Sequence, residues 1–386
     1  MRNDLIYLDY NATTPLDEEV RRAMAESLPL FGNPSSVHRI GAAAKAAIEN
    51  ARGQVARLIH AEPQEIVFTS GGTESNNLAL IGTAFRKQKG HLITSVIEHP
   101  SVSNPVRWLE GRGYDVSWLP VDAEGCISPD AVRKAIRKDT LLITIMHSNN
   151  ETGVLQPIAE VGKIARECGI PFHTDAAQSA GKVDVHVPEL NVDMLTVVSH
   201  KFYGPKGIGA LYIKGWGKEG CPPDISAKWP APILFGAGHE RGLRPGTENT
   251  PGIVGLGAAC EGARRHLPER YEHSRALREM LFALLRERLD IRLNGHAELR
   301  LPNTLNVAVH GSIGEDLVAA LGNSLAFSAG SACHAGIRKP SSVLKAMGIP
   351  DQDALSSIRL SVGKDNTPDE IRSAAALLVE CVRRGR

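Results

Sequence analysis

The sequence predicts an α/β fold in which a mainly parallel, mixed sheet is flanked by helices and accompanied by a smaller α+β domain. Between residues 65 and 213, short apolar segments rich in β-branched residues alternate with helical patterns. Such nearly continuous apolar strands are typical of a sheet that is buried on both faces. From about Pro251 the pattern changes to one long helical stretch, which is followed by shorter strands.

The strands of the first part are separated by segments long enough for a helix or a turn. In chain order they are EIVFTS (65–70), HLITSV (91–96), YDVSWLPV (114–121), TLLITIM (140–146), IPFHTD (170–175), DMLTVV (193–198) and IGALYI (208–213). Helices are expected near 74–87, up to about 111, near 129–138 and near 157–168. SHKFYGPKG joins the last two strands, which favours a hairpin-type return and therefore a mixed sheet.

The second part contains fewer and shorter strands. A helical pattern rich in Glu, Arg and Leu runs from about 251 to 289, and the strands TLNVAV (304–309), LAFSA (325–329) and SIRLSV (357–362) follow it. TPDE (367–370) has the form of a helix start, with proline in the first turn. We therefore expect a large domain over 15–255 and a small domain over 1–14 and 256–386.

Charge and hydropathy exclude several classes of protein. The 386 residues include 44 basic and 43 acidic side chains, a formal net charge of +1, without a long run of one sign. Nothing therefore favours nucleic acid or an anionic membrane as a partner. The sequence has no apolar run near the roughly 18–20 residues of a membrane helix, and its first residues lack the apolar core of a signal peptide.

The cysteines indicate a reducing compartment. The chain has six, far apart and without a CxxC pair: Cys126, Cys168, Cys221, Cys260, Cys333 and Cys381. In a chain of this length they suggest neither a disulfide framework nor a zinc site. We expect a cytoplasmic protein without a bound metal.

The segment TSGGTESNN (69–77) follows a strand and opens a helix. Gly71 and Gly72 allow the backbone to approach a ligand closely, and the free N–H groups of a helix start favour a phosphate. The Thr73 hydroxyl could add a hydrogen bond. Taken alone, a glycine turn capped by Thr73 explains the segment equally well.

Two charged residues follow strands of the same sheet. Asp175 ends IPFHTD, where a carboxylate often holds a cationic group, although it could also cap the next segment. Lys201 follows DMLTVV closely, and a buried lysine there is costly unless it is paired or forms a Schiff base; it could also reach solvent. Together with the glycine loop, the ordered set indicates a pyridoxal 5'-phosphate site.

SAGSACHAG (328–336) contains only small residues besides His334 and the thiol of Cys333. Such a stretch would pack poorly as a helix or as a strand, so we expect a mobile loop over about 328–338. A lone thiol on a loop is either incidental or chemical.

A series of stretches resembles, in the same order, the cysteine desulfurases of the nitrogen-fixation and iron–sulfur-cluster group. They are YLDYNATTP, GNPSSVH, FTSGGTESNNLAL, EHPSV, NNETGVLQPI, HTDAAQSAGKVDV, HKFYGPKGIGALYI, HERGLRPGTEN, LPNTLNV, GSACHAG and SSIRLSVG, and they span about residues 7–364. That group lies in the class V aminotransferase superfamily and has the fold-type I architecture of pyridoxal-phosphate enzymes. The chain is also similar to selenocysteine lyases.

The resemblance implies a role for each matching position. Lys201 would be the Schiff-base lysine and proton shuttle, Cys333 the sulfur-accepting nucleophile, and His99 an acid/base stacked on the cofactor ring. The other implied cofactor contacts are Gly72, Thr73 and His200 at the phosphate, Asp175 at the pyridine nitrogen, Gln178 and Asn150 at the ring hydroxyl, and Thr247 at the phosphate of a neighbouring subunit. Arg359 would clamp the substrate carboxylate, assisted by Asn11 and Asn150.

Two positions depart from the common pattern. Val198 stands where many relatives have a small polar residue, and it cannot donate a hydrogen bond to phosphate, although Ser199 could compensate. His334 stands where a small hydroxyl residue is common, and selenocysteine lyases resemble the chain there. His334 would either act as a cation beside the Cys333 thiolate or occupy the loop surface.

The leading hypothesis is a homodimeric cysteine desulfurase. It would convert L-cysteine to L-alanine, leave a persulfide on Cys333, and transfer sulfur to a scaffold or acceptor protein for iron–sulfur cluster assembly or thiolation. The nearest alternative is a selenocysteine lyase acting on L-selenocysteine. An aminotransferase or β-lyase on the same fold would not need Cys333, and a non-catalytic sulfur-relay subunit would need no visible cofactor.

Overall fold

The computed structural model describes residues 5–217, 230–329 and 339–385. Its strands are β1 (Ile6–Tyr7), β2 (Ile66–Thr69), β3 (His91–Ser95), β4 (Asp115–Leu119), β5 (Thr140–Thr144), β6 (Phe172–Asp175), β7 (Met194–Val198), β8 (Gly209–Ile213), β9 (Ile291–Leu293), β10 (Thr304–Val309), β11 (Leu325–Ala326), β12 (Ser328–Ala329) and β13 (Ser357–Ser361). Its α-helices are α1 (Glu18–Ser27), α2 (Arg39–Leu58), α3 (Gly72–Ala84), α4 (Pro100–Glu110), α5 (Pro129–Ala135), α6 (Ile158–Cys168), α7 (Val187–Leu190), α8 (Thr250–Arg288), α9 (Gly314–Leu321), α10 (Ser342–Ala346), α11 (Asp351–Leu355) and α12 (Pro368–Arg384).

A seven-stranded sheet dominates the first part of the chain, in the order β2-β8-β7-β6-β5-β3-β4. The five strands from β7 to β4 are parallel to one another. Strand β8 runs antiparallel to both β7 and β2, which confirms the hairpin-type return expected around SHKFYGPKG. The predicted α/β class with a mainly parallel, mixed sheet is thus confirmed.

The sheet is covered by helices on both sides because its strands are apolar on both faces. One core lies under α2, α6 and the start of α8, and a second lies under α3 and α4. The helix over 39–58 and the short strands β1 and β9 were not predicted. Helix α2 escaped prediction because alanine and glycine fill much of its buried face, as at Gly41, Ala44 and Ala51, and leave a weak apolar period.

A four-stranded antiparallel sheet, in the order β12-β13-β10-β9, forms the second part. It shares a separate core with α9, α12 and the second half of α8, whose Leu277, Leu281 and Leu285 point into it. The first half of α8 packs on the large sheet through Ile253 and Leu256. The expected domain boundary at 255 therefore lies within a continuous helix, and the division into 15–255 and the remainder stays a prediction.

The N-terminal segment crosses from the small sheet to the large one. Strand β1 pairs in parallel with β11, and Asp9 forms a bridge with Ser361 at the end of β13. Thr14 then donates through its backbone N–H to the carbonyl of His200, 2.9 Å away, beside the large sheet. Residues 9–14 consequently lie where the two sheets meet.

The predicted cysteine loop is only partly within the described residues. Ser328 and Ala329 form a strand that pairs with β13 in the register Ser328–Arg359, so the loop does not begin at 328 as expected. Residues 330–338, which include Cys333 and His334, lie outside the described residues. Among the described helices, none combines the length and the apolar character needed to cross a membrane.

Candidate active site

The parallel strands of the large sheet end at one edge, and the predicted site residues gather there. They surround a cavity of about 370 Å³, as expected at the carboxyl ends of such strands. The predicted residues that line it are Asn11, Gly72, Thr73, His99, Asn150, Asp175, Gln178, His200, Lys201 and Arg359. They come from the N-terminal segment, from five separate segments of the large sheet's chain and from β13 of the small sheet.

Asp175, the last residue of β6, is buried at the base of this cavity. Its Oδ1 accepts the backbone N–H of Ala177 at 2.9 Å, and its Oδ2 accepts the side-chain amide of Asn76 at 2.8 Å. The two donors fix the orientation of the carboxylate. A buried carboxylate held in this way can pair with a cationic ligand group.

His99 stands at the start of α4 and caps that helix. Its Nδ1 accepts the backbone N–H of Ser101 at 3.1 Å. Burial lowers the pKa of His99, and the charge of Lys201 lowers it further, against the opposing influence of Asp175. The lowered pKa favours the neutral imidazole, which lines the cavity, and its stacking on a cofactor ring stays a prediction.

The phosphate cradle predicted at 69–77 is formed by the start of α3. Gly72 packs so closely on β7 that a Cβ there would lie 2.6 Å from Val198 Cγ2, which explains the need for glycine. Thr73 and the first turn of this 13-residue helix face the cavity. Oriented N–H groups at a helix start favour an anion, so the cradle fits a phosphate group.

The histidine and serine after β7 differ in their relation to this cradle. His200 lines the cavity; burial, followed by nearby lysine charges, lowers its pKa to about 4, so it is neutral. Ser199 does not line the cavity, and a contact of its hydroxyl with phosphate stays a prediction. The Ser199 hydroxyl is buried against Gly204, where a Cβ would come within 2.1 Å of it, and it has no partner among the described residues.

Lys201 is held by the N-terminal segment. Its Nζ donates to the carbonyl oxygens of Asn11 at 2.7 Å and Ala12 at 2.9 Å. Burial, and then the charge of Arg359, lowers the pKa of Lys201 to about 8. An amine with this pKa is substantially neutral at slightly alkaline pH, as a nucleophile or proton carrier must be.

Arg359 reaches the cavity from β13. One of its terminal nitrogens donates to the Asn150 carbonyl at 2.9 Å, and the other donates to Asp9 Oδ1 at 2.8 Å and Ser328 Oγ at 3.0 Å. Its Nε is buried and has no partner among the described residues. A buried N–H of a guanidinium without a partner suits a carboxylate ligand.

Asn11 and Gln178 make more protein contacts than the sequence implied. The Asn11 carbonyl accepts from Gln178 Nε2 at 2.9 Å, and Asn11 Nδ2 donates to Thr304 Oγ1 at 2.8 Å. Lys182, which is half-buried, donates to Asn11 Oδ1 at 3.1 Å and Gln178 Oε1 at 2.9 Å. The three residues brace the wall of the cavity, and ligand contacts by Asn11 and Gln178 stay predictions.

Two of the predicted site residues do not line the cavity within the described residues. Thr247 is exposed to solvent, so its contact with a second subunit stays a prediction. Cys333 lies outside the described residues. The other residues predicted to contact the cofactor and the substrate carboxylate thus line the cavity. The role of Cys333 as the nucleophile stays a prediction.

Comparison with known proteins identifies the family. The sequence pattern of the class-V aminotransferases matches residues 6–373. The cysteine desulfurase IscS of Dictyoglomus turgidum is 44% identical over 386 residues, covering 99% of this chain and 95% of that protein. The chain belongs to the class-V aminotransferase family. Within this family it falls among the cysteine desulfurases, since IscS of Methanosarcina thermophila is also 45% identical over 388 residues, covering 100% of this chain and 93% of that protein.

Solved structures of class-V relatives have the same fold. A NifS-like protein superposes with a TM-score of 0.89 at 35% identity, covering 98% of this chain and 100% of that one. SspA in complex with cysteine superposes with a TM-score of 0.81 at 40% identity, covering 94% and 99% of the two chains. The predicted fold-type I architecture is confirmed by these likenesses.

Three polar residues of this class-V site were missed from the sequence. Asn76 holds Asp175, Lys182 braces Asn11 and Gln178, and Asp9 pairs with Arg359. Asn76 and Lys182 occur within quoted motifs, and Asn76 lies four residues before Leu80 on the buried face of α3, where an apolar residue would be expected. A polar residue at such a position is the signal that could have revealed Asn76.

Proposed function

We propose that the chain is a pyridoxal-phosphate-dependent cysteine desulfurase, which converts L-cysteine to L-alanine and retains the sulfur as a persulfide on Cys333. The observation that carries the proposal is the convergence of Asp175, Lys201 and Arg359 on one cavity, with the Arg359 Nε left without a partner among the described residues. The family membership of the chain supports the same activity. The proposed division into large and small domains places Arg359 and the first two residues on different domains.

The residues of the cavity fit pyridoxal 5'-phosphate from end to end. Gly72, Thr73 and the start of α3 would hold the phosphate, with neutral His200 beside it. Asp175 would accept from the pyridine nitrogen, and His99 would stack on the ring. When bound, the cofactor supplies an electron sink for the electron pair left when a proton leaves the substrate Cα.

Lys201 would carry that proton. Its pKa of about 8 leaves a useful fraction of neutral amine near neutral pH. The carbonyls of Asn11 and Ala12 hold Nζ in place on the side of the N-terminal segment. Lys201 would remove the proton from Cα and return a proton to the product, as expected of an acid/base with a pKa near the working pH.

Arg359 would orient the substrate through its carboxylate. Asp9, Asn150 and Ser328 hold the two terminal nitrogens, so the guanidinium plane is fixed before the substrate arrives. The Nε then offers a donor, and guanidinium geometry suits a carboxylate. With its carboxylate held there, L-cysteine would present its Cα to Lys201.

The sulfur step needs a thiolate, which we assign to Cys333. The thiolate attacks the substrate sulfur, an S–S bond forms, and the Cβ–S bond breaks with its electron pair remaining on carbon, which takes up a proton. Each of the two sulfur atoms loses one electron as the S–S bond forms and the substrate Cβ gains both, so one thiol and L-cysteine give one persulfide and L-alanine without an external oxidant. An acceptor or scaffold protein would then take the sulfur.

A homodimer accords with the exposed apolar surface. Leu28, Phe31, Val37 and Phe235 are large apolar side chains whose exposed fractions are 67%, 81%, 101% and 87%. A group of exposed apolar residues such as the first three is typical of a protein interface. The exposed Thr247 would then reach the phosphate site of the second subunit.

The cytoplasmic location of the protein stays a prediction.

The test is the product formed from L-cysteine and from L-selenocysteine. Wild type should give equal amounts of alanine and persulfide or sulfide from L-cysteine, and Cys333→Ala should give none. Cys168→Ala is the matched control, because Cys168 is an exposed thiol on α6, and it should behave as wild type.

Each other outcome identifies a different enzyme. Full alanine production by Cys333→Ala would overturn the nucleophile assignment. Alanine from L-selenocysteine alone would establish the selenocysteine lyase, and pyruvate in place of alanine would establish a β-lyase.

A further inference from the structure

One buried amide contacts Asp175 directly and His99 through the hydroxyl of Ser101, and these are the two residues proposed to flank the cofactor ring. Asn76 lies on α3 and is fully buried. Its Nδ2 donates to Asp175 Oδ2 at 2.8 Å and to Ser101 Oγ at 2.8 Å. Ser101 Oγ in turn lies 2.8 Å from Nδ1 of His99. A single side chain therefore connects the carboxylate and the imidazole.

The direction of these bonds follows from which atoms can donate. The backbone N–H of Ser101 donates to His99 Nδ1, so Nδ1 is an acceptor and the neutral ring carries its proton on Nε2. Ser101 Oγ accepts from Asn76, which leaves its own hydrogen to point at the same Nδ1. Asn76 thereby helps set the tautomer of His99.

The other side of the amide is fixed by a second chain of hydrogen bonds. A carboxylate accepts only, so the NH₂ group of Asn76 faces Asp175 and its Oδ1 must accept from Thr196 Oγ1, 2.7 Å away. Thr196 then accepts from His173 Nε2 at 3.1 Å, and Thr144 donates to His173 Nδ1 at 2.9 Å. Burial lowers the pKa of His173 to about 4, so its neutral ring suits these roles.

We propose that Asn76 is a positioning residue that holds Asp175 in its cofactor-binding orientation and keeps His99 in the Nε2–H tautomer. The proposal rests on the proposed function for the identity of the cofactor. Loss of the amide would release one oxygen of Asp175 and let the Ser101 hydroxyl turn away from His99. The groups that act on His99 through their charge are Asp175 and Lys201, and both lie on the cavity side.

The first test is the titration of His99 in the full chain, with and without cofactor. Ring ¹⁵N resonances report tautomer and protonation, and the His99→Gln variant identifies the His99 signals. Asn76→Asp cannot donate to Ser101 and adds a negative charge, so the midpoint of His99 should rise by about one pH unit. Asn366→Asp is the matched control. Asn366 is a buried amide that donates to a carboxylate, Glu370, away from the cavity, so its variant should leave the midpoint unchanged.

The second test is the dissociation constant of pyridoxal 5'-phosphate, measured by visible absorbance. Asn76→Leu keeps the volume but removes both donors, and it should weaken cofactor binding about tenfold because a bond to a charged group is lost. Asn366→Leu should bind the cofactor as wild type does. Thr196→Val should weaken binding in the same direction, and Thr196→Ser, which keeps the hydroxyl, should restore it.

The proposal is overturned if Asn76→Asp leaves the His99 midpoint unchanged or if Asn366→Asp moves it equally. It is also overturned if Asn76→Leu and Thr196→Val both bind the cofactor as wild type. Should the Asn76 variants fail to fold, the Thr196 pair decides by the same measurements. A wild-type enzyme that made no alanine from L-cysteine would contradict the proposed function. It would not affect the His99 titration that is measured without cofactor or substrate.

Discussion

The two halves of the cavity differ in how their polar groups are held. On the large sheet, Asp175 and His99 have partners on α3, in the turn after β6 and at the start of α4, and their orientations are set before any ligand binds. On the small sheet, Asp9, Asn150 and Ser328 also hold the two terminal nitrogens of Arg359, but its Nε has no partner among the described residues. The first half suits a resident cofactor and is called the cofactor half. The second suits a substrate that enters and leaves and is called the substrate half.

The largest effect is expected from Lys201→Ala, which removes the reactive amine of the cofactor half. Loss of the group proposed to carry the Cα proton should reduce alanine formation from L-cysteine by about 10³-fold. Lys206→Ala is the control, because Lys206 is an exposed lysine on the same loop, and it should keep wild-type activity. Alanine formation at more than a tenth of the wild-type rate in Lys201→Ala would contradict the assignment.

The cofactor half was also the more predictable of the two from sequence. Asp175 and Lys201 each follow an apolar strand directly, and the carboxyl ends of parallel strands meet at one edge. Short-range pattern was thus enough to bring the two residues and the Gly72 cradle together. The strands of the large sheet and the helices that join them were likewise visible in the alternation of apolar segments, although α2 was not.

The substrate half was less predictable because its contacts join distant parts of the chain. Arg359 was identified from the family resemblance, yet its pairing with Asp9 spans 350 positions and no local pattern reports it. The direction of the Ser199 side chain, in the cofactor half, was not predicted either, because it depends on a short helical turn at 199–201 that the apolar pattern does not reveal.

Arg359→Lys should weaken binding of the substrate without changing binding of the cofactor. A lysine cannot reproduce the fixed guanidinium plane, so KM for L-cysteine should rise about 100-fold while the dissociation constant of the cofactor stays unchanged. Arg300→Lys is a matched control, because Arg300 is also buried, bonds two backbone carbonyls and has an Nε without a partner among the described residues. An equal rise of KM in both variants would show that burial, not carboxylate binding, explains the effect.

Gly72→Ala should weaken the cofactor half alone. The new Cβ would overlap Val198 Cγ2 at 2.6 Å, so the start of α3 must shift, and cofactor affinity should fall about tenfold or somewhat more. Adding Val198→Ala makes room for the methyl group and should restore most of the affinity. Dissociation constants for the two single variants and the double variant measure this coupling. If the losses of cofactor affinity in the two single variants simply add in the double variant, the contact between residue 72 and Val198 does not explain the effect.

The smallest expected effect is the pH dependence of the rate at which the stripped enzyme takes up the cofactor. Only the neutral amine of Lys201 can react with the cofactor aldehyde, so cofactor uptake by the stripped enzyme should accelerate as pH rises through about 8, and not near the ordinary lysine pKa of 10.5. With a pKa of about 8, the neutral fraction grows from about a tenth at pH 7 to about nine tenths at pH 9, a gain of about tenfold in rate. His200 is neutral over this range because its pKa is about 4, so it does not contribute to the rise.

Arg359 supplies the control for this pH dependence. Its charge lowers the pKa of Lys201, second only to burial, so Arg359→Met should move the midpoint of uptake to higher pH, whereas Arg359→Lys keeps a charge and should move it less. Stopped-flow absorbance at a series of pH values measures both midpoints. If the midpoint is the same in wild type and Arg359→Met, the substrate half does not act on the lysine, and burial alone explains its pKa. If it shifts as expected, the residue that receives the substrate also tunes the amine that reacts with the cofactor.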